Sequence, residues 1–65
     1  MLTLDRKVNV TCVETGKVAS GTIVRIQGNR VYVAFDKGGL MVSLQMKKAG
    51  LYVGSQSGLE FVMKI

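Results

Sequence analysis

Histidine, proline and tryptophan are absent from this chain, and cysteine occurs once. Without histidine the commonest general base is missing, and with only four acids (Asp5, Glu14, Asp36 and Glu60) most metal-ligand sets are missing too. The segment "GKVASG" (residues 16–21) lacks the Gly-Lys-Ser/Thr spacing and the following helix of a phosphate loop. No nucleophile has a base near it in sequence, and "SQS" (residues 55–57) reads as a solvent loop. No catalytic residue, no metal and no cofactor is therefore expected, and the chain does not read as an enzyme. A lone Cys12 cannot close an internal disulfide, which fits a reducing, cytoplasmic setting. The opening "MLTLDRKVNV" has no apolar run of signal-peptide length. No stretch approaches the roughly 18 apolar residues of a membrane span, so no membrane partner is expected.

What is present points elsewhere. Sixty-five residues suffice for one small domain, expected to span residues 1–65. A formal charge of +5 and a pI near 9.8 suggest an anionic partner, nucleic acid first and an anionic membrane surface second. Hydrophobic residues reach 48%, more than so small a core needs. The surplus would be absorbed by a homo-oligomer or a protein partner.

Eight glycines punctuate the chain, and helical periodicity is poor throughout. "KVNVTCV" (residues 7–13) alternates, with Val8, Val10 and Cys12 on one face and Asn9, Thr11 and Val13 on the other. Residues 14–21 read as a loop. "TIVRIQ" and "RVYVAFD" follow as strands around Gly28-Asn29, a two-residue hairpin signal. "DKGG" (residues 36–39) is a further turn, and "LMVSLQM" a further strand. Residues 43–49 are a short helical candidate that could instead finish this strand. "GSQSG" (residues 54–58) reads as a polar loop before a last strand, "LEFVMKI".

Register follows from the turns. With Gly28-Asn29 as the loop, Gln27 faces Arg30, Ile26 faces Val31, Arg25 faces Tyr32 and Val24 faces Val33. With Lys37-Gly38 central to the next turn, Phe35 faces Leu40, Val33 faces Val42 and Val31 faces Leu44. Both turns give one parity, and a slip of one residue in either would ruin it. Val24, Ile26, Val31, Val33 and Phe35 then face the core. Arg25–Tyr32–Ser43, Gln27–Arg30–Gln45 and Ile23–Ala34–Met41 form three rows on the solvent side. The expected fold is all-β: a single small five-stranded SH3-like barrel with a central three-stranded antiparallel meander, closed by pairing its first and last strands.

"GTIVRIQGNRVYVAFDKGGLMVSL", with its V-x-V strand between two turns, resembles the meander of Tudor- and KOW-type SH3-like barrels, including the C-terminal domain of ProQ-type RNA chaperones. The resemblance covers roughly residues 18–46 and implies an RNA-binding barrel. The aromatic cage of methyl-lysine-reading Tudor domains is not expected here, because Phe35 and Phe61 fall on core faces and leave only Tyr32 and Tyr52. "MLTLDRK" is similar to the opening of the carbon storage regulator (CsrA) family of RNA-binding dimers, and "GNRVYV" to its later strand. That resemblance would carry RNA contacts onto Leu4 and Arg6. The family's following Gly-Glu is missing, and "LYVGSQSGLEFVMKI" stands where its C-terminal helix would be. PilZ domains share "GGLMV"-like strands, but the paired arginines of that family are missing. A bacterial or phage-like style of domain is expected.

The functional reading is a small nucleic-acid-binding module that contacts single-stranded RNA through a basic sheet face. Arg25, Arg30, Lys47 and Lys48 would neutralise phosphates, Tyr32 would stack a base, and Gln27, Ser43 and Gln45 would reach base or sugar edges. The alternative is a protein-interaction or homo-oligomeric assembly module without catalytic activity. Its interface would draw on Ile23, Met41, Val62 and Val13, helped by the flexible side chains of Met46 and Met63.

Overall fold

Alternating β-formers between glycine turns leave the backbone one economical solution, a sheet that curls until its own edges meet. The computed structural model describes residues 3–65; Met1 and Leu2, which open the "MLTLDRK" stretch, lie outside the described residues. Six strands follow one another: β1 (Lys7–Cys12), β2 (Val18–Gln27), β3 (Arg30–Phe35), β4 (Met41–Lys48), β5 (Leu51–Gln56) and β6 (Leu59–Lys64). Each pairs antiparallel with the next, and β6 returns to β1 through Thr11–Val62 and Cys12–Phe61, so the sheet closes into a barrel. Closure removes the two sheet edges that would otherwise invite pairing with another chain. Among the described residues there is no helix, hence none long and apolar enough to cross a membrane.

The central meander keeps the parity expected from its turns. Gln27 faces Arg30 across Gly28-Asn29, with Gly28 at a φ of 62°. Val33 faces Val42 and Val31 faces Leu44, while the Phe35 amide donates to the Leu40 carbonyl at 2.8 Å. Val31, Val33, Val42 and Leu44 meet Val10, Ile23 and Met63 in a core no more than 1% exposed. Phe35 and Phe61 pack on this core with their rings 5.7 Å apart and tilted by 55°, and Cys12 is buried beside it.

Several of the expectations need correction. The barrel has six strands rather than five: residues 51–56 form β5, and the expected loop at 54–58 shrinks to Ser57-Gly58, both at positive φ. Gly54 is a strand residue because β5 runs hard against β4, where a Cβ would collide with the Ser43 carbonyl oxygen. β2 begins at Val18 rather than Thr22, and Gly21 lies within it for the same kind of reason. A Cβ there would sit 2.6 Å from Val33 Cγ1 and 2.9 Å from the Ala34 carbonyl oxygen. Of the two readings left open for residues 43–49, the strand reading holds: β4 runs through Lys48.

The most consequential correction concerns β2. A β-bulge between Ile23 and Arg25 puts Ile23, not Val24, opposite Val33. An inserted residue shifts the two-residue alternation by one place. Ile23 is thereby fully buried, while Val24 is 45% exposed and Ile26, near the end of its strand, is 37% exposed. Ile23 therefore cannot serve the interface assigned to it, and Thr22 takes its place in the row with Ala34 and Met41. Met63 is likewise a core residue. Leu40, expected on the core face, precedes β4 and is 58% exposed.

Candidate nucleic-acid interface

β2, β3 and β4 present their outward side chains as rows, because neighbouring strands place their register partners side by side. Arg25, Tyr32 and Ser43 form one such row, and Gln27, Arg30 and Gln45 the next. The Arg25 guanidinium lies over the Tyr32 ring, 5.9 Å from its centroid, at the outer reach of a cation–π contact. Arg30 spans both rows, donating to the Ser43 hydroxyl and to the Gln45 amide oxygen at 3.5 Å each. These are long hydrogen bonds, weak enough to be exchanged for a ligand's oxygens.

Two register shifts flank this face. The bulge in β2 makes Val24 an extra, exposed residue between the buried Ile23 and the outward Arg25. A second register shift, between Met46 and Lys48 against β5, makes Lys47 an extra residue in β4 and leaves Lys47 and Lys48 both exposed. Bulges re-aim side chains that a regular strand would alternate. The Met46 amide donates to the Asn29 carbonyl at 2.8 Å, which holds this lysine end of β4 beside the Gly28-Asn29 turn.

Charge is distributed unevenly around the barrel. Strands β2, β3, β4 and β5 contain no Asp or Glu, while they carry Arg25, Arg30, Lys47 and Lys48. Lys7 pairs with Asp36 at 3.0 Å. Glu14 accepts from the Glu60 amide at 2.9 Å, keeping those two acids together near the β1–β6 seam. Arg25, Arg30, Lys47 and Lys48 have no carboxylate within salt-bridge distance among the described residues.

All eight residues expected at the site lie on β2, β3 or β4, and six of them share the two rows; Lys47 and Lys48 extend the second row along β4. The sequence reading missed Val53, Gly54 and Ser55. With Arg30, Ser43 and Gln45 they line a shallow depression of about 280 Å³, and Gln45, Met46, Lys47 and Val53 line a neighbouring one of about 310 Å³. The alternation of Leu51, Val53 and Ser55 against Tyr52, Gly54 and Gln56 was the available signal. Of the residues expected at a protein interface, Met41 is 51% exposed, and Val62 is half-buried on the outer side between Thr11 and Val53. Leu4 and Arg6 are exposed ahead of β1, where the Asp5 amide donates to the Ile23 carbonyl at 2.8 Å. No protein-family model, no curated protein and no solved structure matches the chain.

Proposed function

We propose that this protein is a small nucleic-acid-binding module that holds single-stranded RNA across the outer face of β2, β3 and β4. The observation that carries the reading is the acid-free wall of four consecutive strands with four basic residues free of carboxylate partners. A polyanion laid on that wall meets attraction, and the acid at the end of β3, Asp36, is already paired with Lys7. Arg25, Arg30, Lys47 and Lys48 neutralise phosphates, and Tyr32 offers its ring to a base once Arg25 moves onto a phosphate. Gln27, Ser43 and Gln45 supply the donors and acceptors that a base edge or a 2′-hydroxyl can use. RNA is favoured over duplex DNA because the described residues hold no recognition helix for a major groove. The resemblance of the meander to Tudor/KOW-type SH3-like barrels supports the same class of ligand; the lone Cys12 fits a cytoplasmic setting, and no catalytic role is proposed.

The test is a titration of labelled single-stranded RNA, single-stranded DNA and duplex DNA at two salt concentrations. A site that neutralises about four phosphates has a log–log salt slope near −2.8, so affinity falls roughly 50-fold between about 50 and 200 mM salt. Arg25→Ala/Arg30→Ala should reduce that slope by about 1.4 while the protein stays folded. No binding of single strands at low salt would remove the proposal.

A further inference from the structure

The side of the barrel opposite the basic face has its own pattern. Outward residues of β6 read Glu60, Val62, Lys64: an acid, an apolar residue and a base at successive outward positions. Val62 is flanked by Val53 on β5 and Thr11 on β1, and Thr11 is in turn opposite Val18. Thr11, Val13, Val18, Val62 and Lys64 border one open depression of about 490 Å³. Val13 is 50% and Val18 61% exposed, so a good part of the chain's surplus apolar surface lies here.

We propose that this face binds a second copy of the same chain. The argument is charge complementarity. A two-fold axis lying in the interface and crossing β6 at Val62 lays the two β6 strands antiparallel, face to face. Glu60 then meets Lys64 of the second copy, and Lys64 meets its Glu60, around a centre of valines. An interface between identical copies must be self-complementary in this way, and an acid–apolar–base strand is so by sequence alone. The area is adequate: a standard interface covers about 800 Å² per partner, roughly a fifth of the 4355 Å² surface of this barrel. β3 lies three strands from β6 in either direction around the barrel, so the dimer leaves the Arg25–Tyr32–Ser43 and Gln27–Arg30–Gln45 rows outward, with Val53 at the edge between the two surfaces. Two such faces on one particle would raise the avidity for a long single strand without any new contact.

Sedimentation equilibrium of the whole chain, from micromolar concentrations to about 1 mM, tests this directly. The wild type should self-associate. Glu60→Lys and Lys64→Glu should each weaken association about tenfold, because each replaces two attractions with two repulsions. An equimolar mixture of those two variants should recover the wild-type affinity as a heterodimer, since both cross-pairs are then opposite in sign. Far-UV circular dichroism confirms that each variant is folded. Arg25→Ala/Arg30→Ala should dimerise normally, which separates this inference from the nucleic-acid reading. A wild type that stays monomeric throughout, or single reversals that leave association unchanged, would overturn the proposal.

Discussion

Replacing Ile23 with alanine, beside the same change at Val24, probes the bulge that decides which of the two fills the core opposite Val33. Ile23 is fully buried among Val10, Val33 and Met63, whereas Val24 is 45% exposed. Removing the buried side chain loses its transfer free energy and leaves a cavity, a combination that costs about 2–5 kcal/mol for Ile→Ala. A domain of 65 residues is stable by only about 3–10 kcal/mol, so Ile23→Ala should remove a large share of the total. Val24→Ala touches an exposed bulge and should cost within about 0.5 kcal/mol. Urea unfolding followed by circular dichroism gives both values, read from midpoints at constant slope. In thermal melts the Ile23 variant should fall by at least about 8 °C, with the Val24 variant close to wild type. If Val24→Ala proves the more damaging of the two, the bulge is misplaced and Val24, rather than Ile23, fills the core opposite Val33.

Three further outcomes follow from the same geometry. Gly54→Ala should destabilise the barrel by about 1–3 kcal/mol in urea unfolding, because its Cβ has no room against the Ser43 carbonyl and the β4–β5 pair must shift. Tyr32→Ala should weaken single-stranded RNA binding roughly 5- to 150-fold by loss of a stacked base, while Tyr32→Phe, which keeps the ring, should bind within about threefold of wild type. Lys7→Ala should change unfolding free energy by less than about 1 kcal/mol, since its 3.0 Å pair with Asp36 is solvent-exposed.

The central meander was legible because two turn signals independently set one parity, and Val31, Val33, Val42 and Leu44 then had only one side to occupy. The rows Arg25–Tyr32–Ser43 and Gln27–Arg30–Gln45 came with it. Glycine was the source of most errors. Gly28 and Gly58 make turns at positive φ, but Gly21 and Gly54 stand inside strands where another backbone comes too close for a Cβ. A sequence does not distinguish these two uses, so the start of β2 and the second half of β5 read as loops, and Val53 and Ser55 were lost from the site. The bulge was hidden for a different reason. Ile23, Val24 and Ile26 are all β-branched and apolar, so the alternation carries no mark of the inserted residue. Arg25 kept its place only because the register was counted outward from the Gly28-Asn29 turn, on the near side of the bulge.

The central claim, that the acid-free face of β2, β3 and β4 is the binding surface, is tested most directly by amide chemical-shift mapping during titration with single-stranded RNA. The account predicts that the largest shifts cluster at residues 25–32 and 43–48, with residues 60–64 on the opposite side unmoved. Shifts concentrated on β1 and β6, or spread evenly over the barrel, would contradict it.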